Sequence, residues 1–272
     1  MKKFLKELSK RFQKKVVRID KRVRFVISAL LLGSFMLFST FFYFDKWYIF
    51  LPLLIILTYL VTYFSLAEGI EKLGWFGLFV MPIAVSVSFY LVYFLFPGRW
   101  LTRIPFIIFY EISIYAMIVC SNIFNVGVEK NLGLYRAAFS INFLYQAIVS
   151  FLIFNLIFAL KANFIINSVI SGVIGMILGL NLFWTIRLKR HLENEVKDYS
   201  LFLGLIMFEL ALLASFLPLA TPVYALFLTG GYYSIAGLIY NHMDEKLFKE
   251  TIREYVIVFS FVLLITYLSL TW

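Results

Sequence analysis

Cysteine occurs once in the 272 residues, at Cys120 inside an apolar run. Neither an intramolecular disulfide nor a thiolate-bound metal cluster can therefore form within the chain. Histidine occurs twice, and charged residues make up 15% of the chain, where a soluble domain carries roughly a quarter. Acid is scarcer than base, with 15 Asp and Glu against 25 Lys and Arg. No HExxH zinc motif, GxSxG nucleophile elbow, phosphate-cradling loop or dinucleotide fingerprint occurs, so enzymatic activity gains no positive support and no cofactor or metal is expected.

What is present is apolar: 62% of residues are hydrophobic and 20% aromatic, with a mean hydropathy of +0.92. A water-soluble fold could not bury so much apolar surface, so hydrocarbon must be the surrounding solvent. Runs long enough to cross a core of about 30 Å fall at 25–44, 48–67, 75–96, 104–126, 137–160, 164–186, 201–217, 223–240 and 256–272. The fold class expected is an all-α polytopic bundle of about nine spans, with 25–272 as one transmembrane domain behind a cytoplasmic arm, 1–24. The seventh and eighth runs are short and joined through Pro218 to Pro222, so a re-entrant hairpin is the alternative there. No small-residue cleavage site follows the first run, which is expected to remain as an anchor.

Orientation follows from Lys and Arg, which collect on the cytoplasmic side. With the N-terminus inside, 21 of the 25 fall in inside segments, and only Lys46, Arg99, Arg103 and Lys161 lie outside. The alternation supports nine crossings independently of hydropathy and places the C-terminus externally. The expected location is a bacterial cytoplasmic membrane. All five tryptophans sit at predicted span ends, Trp47, Trp100 and Trp272 outside and Trp75 and Trp184 inside, as the headgroup preference of indole requires.

The net charge of +10 raises nucleic acid as a partner, but residues 1–24 hold +9 of it. That placement suits anionic inner-leaflet lipids rather than nucleic acid. Within the arm, Phe4, Leu5, Leu8, Phe12, Val16, Ile19 and Val23 recur at helical spacing between basic residues. An interfacial amphipathic helix and a plain positive-inside signal both follow from this pattern. Segment 241–255 places Glu245, Lys249 and Arg253 at i, i+4 spacing, which predicts a short surface helix.

Two acids lie inside spans, Glu111 in the fourth and Glu209 in the seventh. No Lys or Arg is expected to be buried beside them, so each must be neutralised by a proton or a cation. Their depths differ by only about 8 Å, so they could meet if those helices are neighbours. Tyr115, Asn122 and Asn125 continue the line of Glu111, and Asn142, Gln146 and Ser150 form a second line in the fifth span. The sixth adds Asn163, Asn167, Ser171 and Asn181. Such groups face other helices or trapped water. They could line a proton or cation path, or simply hold helices together.

Ser171, Gly175 and Gly179 are four residues apart, a spacing that lets two helices approach closely, and internal packing is favoured over a homodimer seam. The glutamates sit in FYEISIYA and MFELALLA, which would also suit an inverted three-span repeat. His191 and His242 lie near acids in cytoplasmic loops, without the spacing of a zinc site. Three function classes remain. The first is a non-catalytic component (scaffold, assembly factor or complex subunit) with other membrane proteins as partners. The second is a proton- or cation-coupled transporter using Glu111 and Glu209, and the third a lipid-handling enzyme using His191 or His242.

Overall fold

Helix is the only regular structure among the described residues, as hydrocarbon demands of a backbone that must satisfy its own N–H and C=O groups. The computed structural model describes residues 19–42, 44–67, 75–94, 100–126 and 132–270. Nine α-helices run through them: α1 Lys21–Phe42, α2 Trp47–Ser65, α3 Trp75–Tyr93, α4 Trp100–Val126, α5 Leu132–Ala159, α6 Phe164–Arg187, α7 Asn194–Ala214, α8 Thr221–Met243 and α9 Lys249–Leu268. Each overlaps one predicted span, with α7 and α9 beginning seven residues ahead of theirs. Seven are long and apolar enough to cross a membrane, and the protein is a polytopic helical bundle integral to a membrane. In α3 the apolar helix is shorter, Gly77–Tyr93. In α7 the first turns carry Glu195, Lys197 and Asp198 ahead of the apolar stretch.

Residues 1–18, which hold most of the predicted amphipathic arm, lie outside the described residues, as does Trp272. The predicted surface helix in 241–255 is corrected. Its residues divide between the end of α8, a turn at 244–248 and the first turns of α9. Glu245 adopts a left-handed φ of 56° there, which breaks the helix. Leu188 closes α6 in the same conformation, and Asn163 caps its start by accepting a hydrogen bond from the Ile165 N–H.

The chain divides into two compact units, Met1–Asn142 and Phe143–Trp272, with the division inside α5. In the first, small hydroxyls stitch neighbouring helices together. Ser28 meets Ser65 between α1 and α2 at 2.7 Å. Thr58 donates to Ser86 between α2 and α3 at 3.1 Å, and Ser86 meets the Tyr110 hydroxyl of α4 at 2.9 Å. Leu32, Met36, Leu54, Val85, Ile114 and Met117 are fully buried in the same unit. Arg24, in the first turn of α1, is fully buried. It lies nine residues from the α1 position that Glu111 touches, roughly 13 Å along the axis.

The second unit is built on bare backbone. Along the antiparallel α6–α7 seam, Gly172 lies over Gly204, Gly175 over Met207 and Gly179 over Leu203. A Cβ at Gly204 would come within 2.9 Å of the Gly172 carbonyl oxygen, so the two helices touch through their main chains. Helix α8 is largely buried, whereas in α9 only Val262 and Thr266 are.

Candidate functional site

Glutamate in a span must find a polar neighbour, a cation or a proton, and the two glutamates differ sharply in surroundings. Glu111 lies in the first unit, half-buried on α4. Its carboxyl rests on the Cα of Gly33 in α1, where an added Cβ would come within 2.0 Å of Oε1 and 2.4 Å of Cγ. Glycine at 33 is thus the space that the carboxyl occupies. Tyr110, next in sequence, points the other way into the hydroxyl ladder.

Gly33→Val is therefore expected to lower stability in detergent by about 1–3 kcal/mol, the usual range for overpacking. Most of that loss should vanish in the Gly33→Val/Glu111→Ala double variant. A thermal melt that shows no such rescue would place the collision elsewhere.

The line predicted to follow Glu111 does not stay on one environment. Tyr115 is exposed, Asn122 half-buried and Asn125 buried. Tyr115 stands one turn from the acid yet turns outward, because α4 presents Ile108, Ile112 and Tyr115 on its exposed side.

In the second unit one amide serves as an interhelix link. Gln146 of α5 is wholly buried. Its Nε2 donates to Asn181 Oδ1 of α6 at 2.9 Å, and its Oε1 accepts from the Tyr232 hydroxyl of α8 at 2.6 Å. One glutamine thereby joins three helices. The sequence names Gln146 and Asn181 but misses Tyr232, which stands 86 residues away and carries no local signal. Asn142 and Ser171 are buried; among the described residues, Asn142 Nδ2 and Ser171 Oγ meet no hydrogen-bond partner.

Glu209 is exposed on α7. It stands between Leu205 and Leu213, each one turn away and each more than half exposed, with Leu201 a further turn down the same row. The opposite side of α7 carries the buried Leu203, Gly204, Met207 and Ala211 that meet α6 and α8. Glu111 and Glu209 thus belong to different units, each with its own surroundings.

Of the tryptophans, Trp47 begins α2 and is nearly half exposed. Trp184 is buried, and its indole N–H donates to the Lys189 carbonyl at 2.8 Å, which ties the end of α6 to the following loop. Trp75 and Trp100 begin α3 and α4.

In that loop Glu193 accepts from Lys189 and from Arg187, the latter at 3.0 Å. The Lys189 hydrogen bond is the main reason its carboxyl titrates below the usual range. This contact is present above the ordinary carboxylate range and is lost as pH falls through the depressed value. His191 and His242 are both exposed, the latter with its ring against Tyr199. No group of three or more metal-ligating side chains forms among the described residues.

A cleft of about 260 Å³ opens where α5 turns into α6, lined by Phe158, Lys161, Ala162, Phe164, Asn167 and Ser215. Neither glutamate lines it.

Residues 136–269, from α5 to the end of α9, match the model of a family described as "Protein of unknown function (DUF5656)". The matched stretch begins close to the division between the two units. No curated protein and no solved structure matches the chain.

Proposed function

We propose that this multi-pass membrane protein is a non-catalytic component (a scaffold, assembly factor or complex subunit) whose partners are other membrane helices. The observation that carries this reading is the outward direction of Glu209. A path-lining acid faces the interior of its bundle, whereas this one stands among exposed leucines. Gln146 supports the same reading, because its amide bonds two other helices. The charge bias adds an orientation: N-terminus cytoplasmic, with residues 1–24 lying on the anionic inner leaflet of a bacterial cytoplasmic membrane.

Liposomes containing the purified chain should pass protons and monovalent cations no faster than empty ones, measured with entrapped pH- and potassium-sensitive dyes. A flux that disappears in Glu111→Gln or Glu209→Gln would overturn the reading in favour of coupled transport.

A further inference from the structure

A buried amide oxygen needs a donor, and a cation at the rim of the hydrocarbon needs water or an anion. The cleft at the turn from α5 to α6 brings both needs together. Lys161 lines it and is the only charged residue between Arg136 and Arg187. It joins no ion pair among the described residues. Segments 131–192 and 210–243 supply the lining, and the first holds no acid, nor does the second. Asn167 lines the same cleft and is only 3% exposed. Its Nδ2 donates to the Ala162 carbonyl at 3.2 Å, whereas its Oδ1 meets no partner among the described residues. Ser215 has committed its hydrogen to the Ala211 carbonyl at 2.7 Å, so its oxygen can only accept. Phe164, the first residue of α6, also lines the cleft, which adds the partial positive charge of that helix end.

The occupant that answers this set carries a negative charge for Lys161 and a neutral O–H for the unpaired oxygen. We propose that the cleft binds a hydroxyl-bearing phosphate ester, presented by the headgroup of a phosphatidylglycerol-type lipid. A choline headgroup offers no donor, and an ethanolamine headgroup brings a second cation beside Lys161. The lipid source follows from the place, because α5 ends and α6 begins here, at the level where lipid phosphates lie. The volume agrees. About 260 Å³ is below the roughly 300–1,000 Å³ of pockets that enclose drug-sized ligands, so the headgroup enters and the acyl chains stay outside. Leu160 and Phe216, each more than two-thirds exposed, offer them apolar surface. Phe158 stacks on Tyr224 at 3.7 Å and Phe164 packs on Phe216 at 5.6 Å, so both aromatic walls are held in place. The site goes beyond the non-catalytic reading and does not depend on it.

The test titrates lipids onto the delipidated full chain in detergent and counts bound molecules by native mass spectrometry. Phosphatidylglycerol should bind more tightly than phosphatidylcholine. Lys161→Gly should weaken phosphatidylglycerol about fivefold, the effect of one basic residue beside an anionic headgroup. Glycine suits the left-handed φ of 49° at this position, so the variant's melting temperature should hold or rise, which separates lost charge from lost fold. Lys249→Ala, at the exposed start of α9, should leave binding unchanged. Phosphatidylmethanol has the same charge without hydroxyls and should bind about fivefold more weakly than phosphatidylglycerol, the equivalent of one hydrogen bond. In Asn167→Leu the two anionic lipids should bind alike, whereas a merely structural loss would weaken both and keep their ratio.

Equal affinity for phosphatidylglycerol and phosphatidylcholine, or unchanged affinity in Lys161→Gly, would overturn the site. A parental ratio of the two anionic lipids in Asn167→Leu would do the same. Glycerol phosphate distinguishes the sources. No binding at millimolar concentration supports the lipid, while affinity matching that of phosphatidylglycerol would overturn the lipid source and assign the cleft to a soluble ester. Ion flux through the chain, which would remove the non-catalytic reading, leaves every one of these affinities as expected.

Discussion

Gly204→Leu is expected to cost about 3 kcal/mol or more of unfolding free energy, at or beyond the upper end of ordinary overpacking. The first atom of any side chain at 204 lands 2.9 Å from the Gly172 carbonyl oxygen and 2.8 Å from Met176 Cβ. That oxygen belongs to the main chain of α6, where it accepts a helical hydrogen bond, so it cannot swing aside as a side chain would. Helix α7 must instead move off α6 as a body, which opens the Gly175 and Gly179 contacts along the same seam. Gly175→Ala provides the comparison. There the obstacles are Met207 Cγ and Cβ, and a methionine side chain re-rotamerises readily, so the loss should stay near 1 kcal/mol. Titration of the folded protein with SDS in mixed micelles measures both. Equal losses would mean that backbone proximity is not what limits position 204.

Gln146→Leu should cost about 2 kcal/mol, through a different mechanism. The substitution leaves the Tyr232 hydroxyl in a fully buried place without its 2.6 Å acceptor and deprives Asn181 Oδ1 of a donor. Single interhelical hydrogen bonds in membranes average about 0.6 kcal/mol and reach about 1.7, and an orphaned buried group adds its own penalty. Removing the orphan should therefore help. In the Gln146→Leu background, Tyr232→Phe is expected to recover about 1 kcal/mol, whereas in the parent it should cost a similar amount. Such a sign change in a double-mutant cycle is the signature of two groups acting on each other. Simple additivity would assign the Gln146 effect to shape alone.

Much of the architecture was legible from the sequence because hydrocarbon imposes few solutions. Apolar runs of about 20 residues separated by basic loops leave little freedom, and each of the nine runs falls largely within one helix, although α7 and α9 begin seven residues earlier than expected, in their polar first turns. The failures have local causes. Segment 241–255 carries well-spaced charges, yet Glu245 takes a left-handed backbone that charge spacing does not foretell. Arg24 stands near the start of α1 and ends the basic stretch expected to form a cytoplasmic arm, yet packing buries it completely.

The candidate residues divide along a similar line. Gln146 and Asn181 could be named because amides in apolar helices require partners, but their partner Tyr232 could not, since tyrosine is common throughout the chain. Gly33 was equally silent, because its role is to leave room for Glu111. For Glu209 a usable signal did exist. Its neighbours at 201, 205 and 213 are all leucine, and an acid lining an internal polar path would have polar company on its own side.

The attachment of α9 illustrates how a helix with little buried surface can still have one address. Val262 seats over Gly230, and the Tyr255 ring seats over Gly237. The two seats and the two plugs are each seven residues apart, two turns of helix, and they pair in antiparallel order. One seat alone would let the terminal helix pivot or creep along its neighbour. Two seats at matched spacing act as a vernier, since a shift by any smaller step lifts both plugs at once. Position along the axis and rotation about it are thereby set together by two missing side chains.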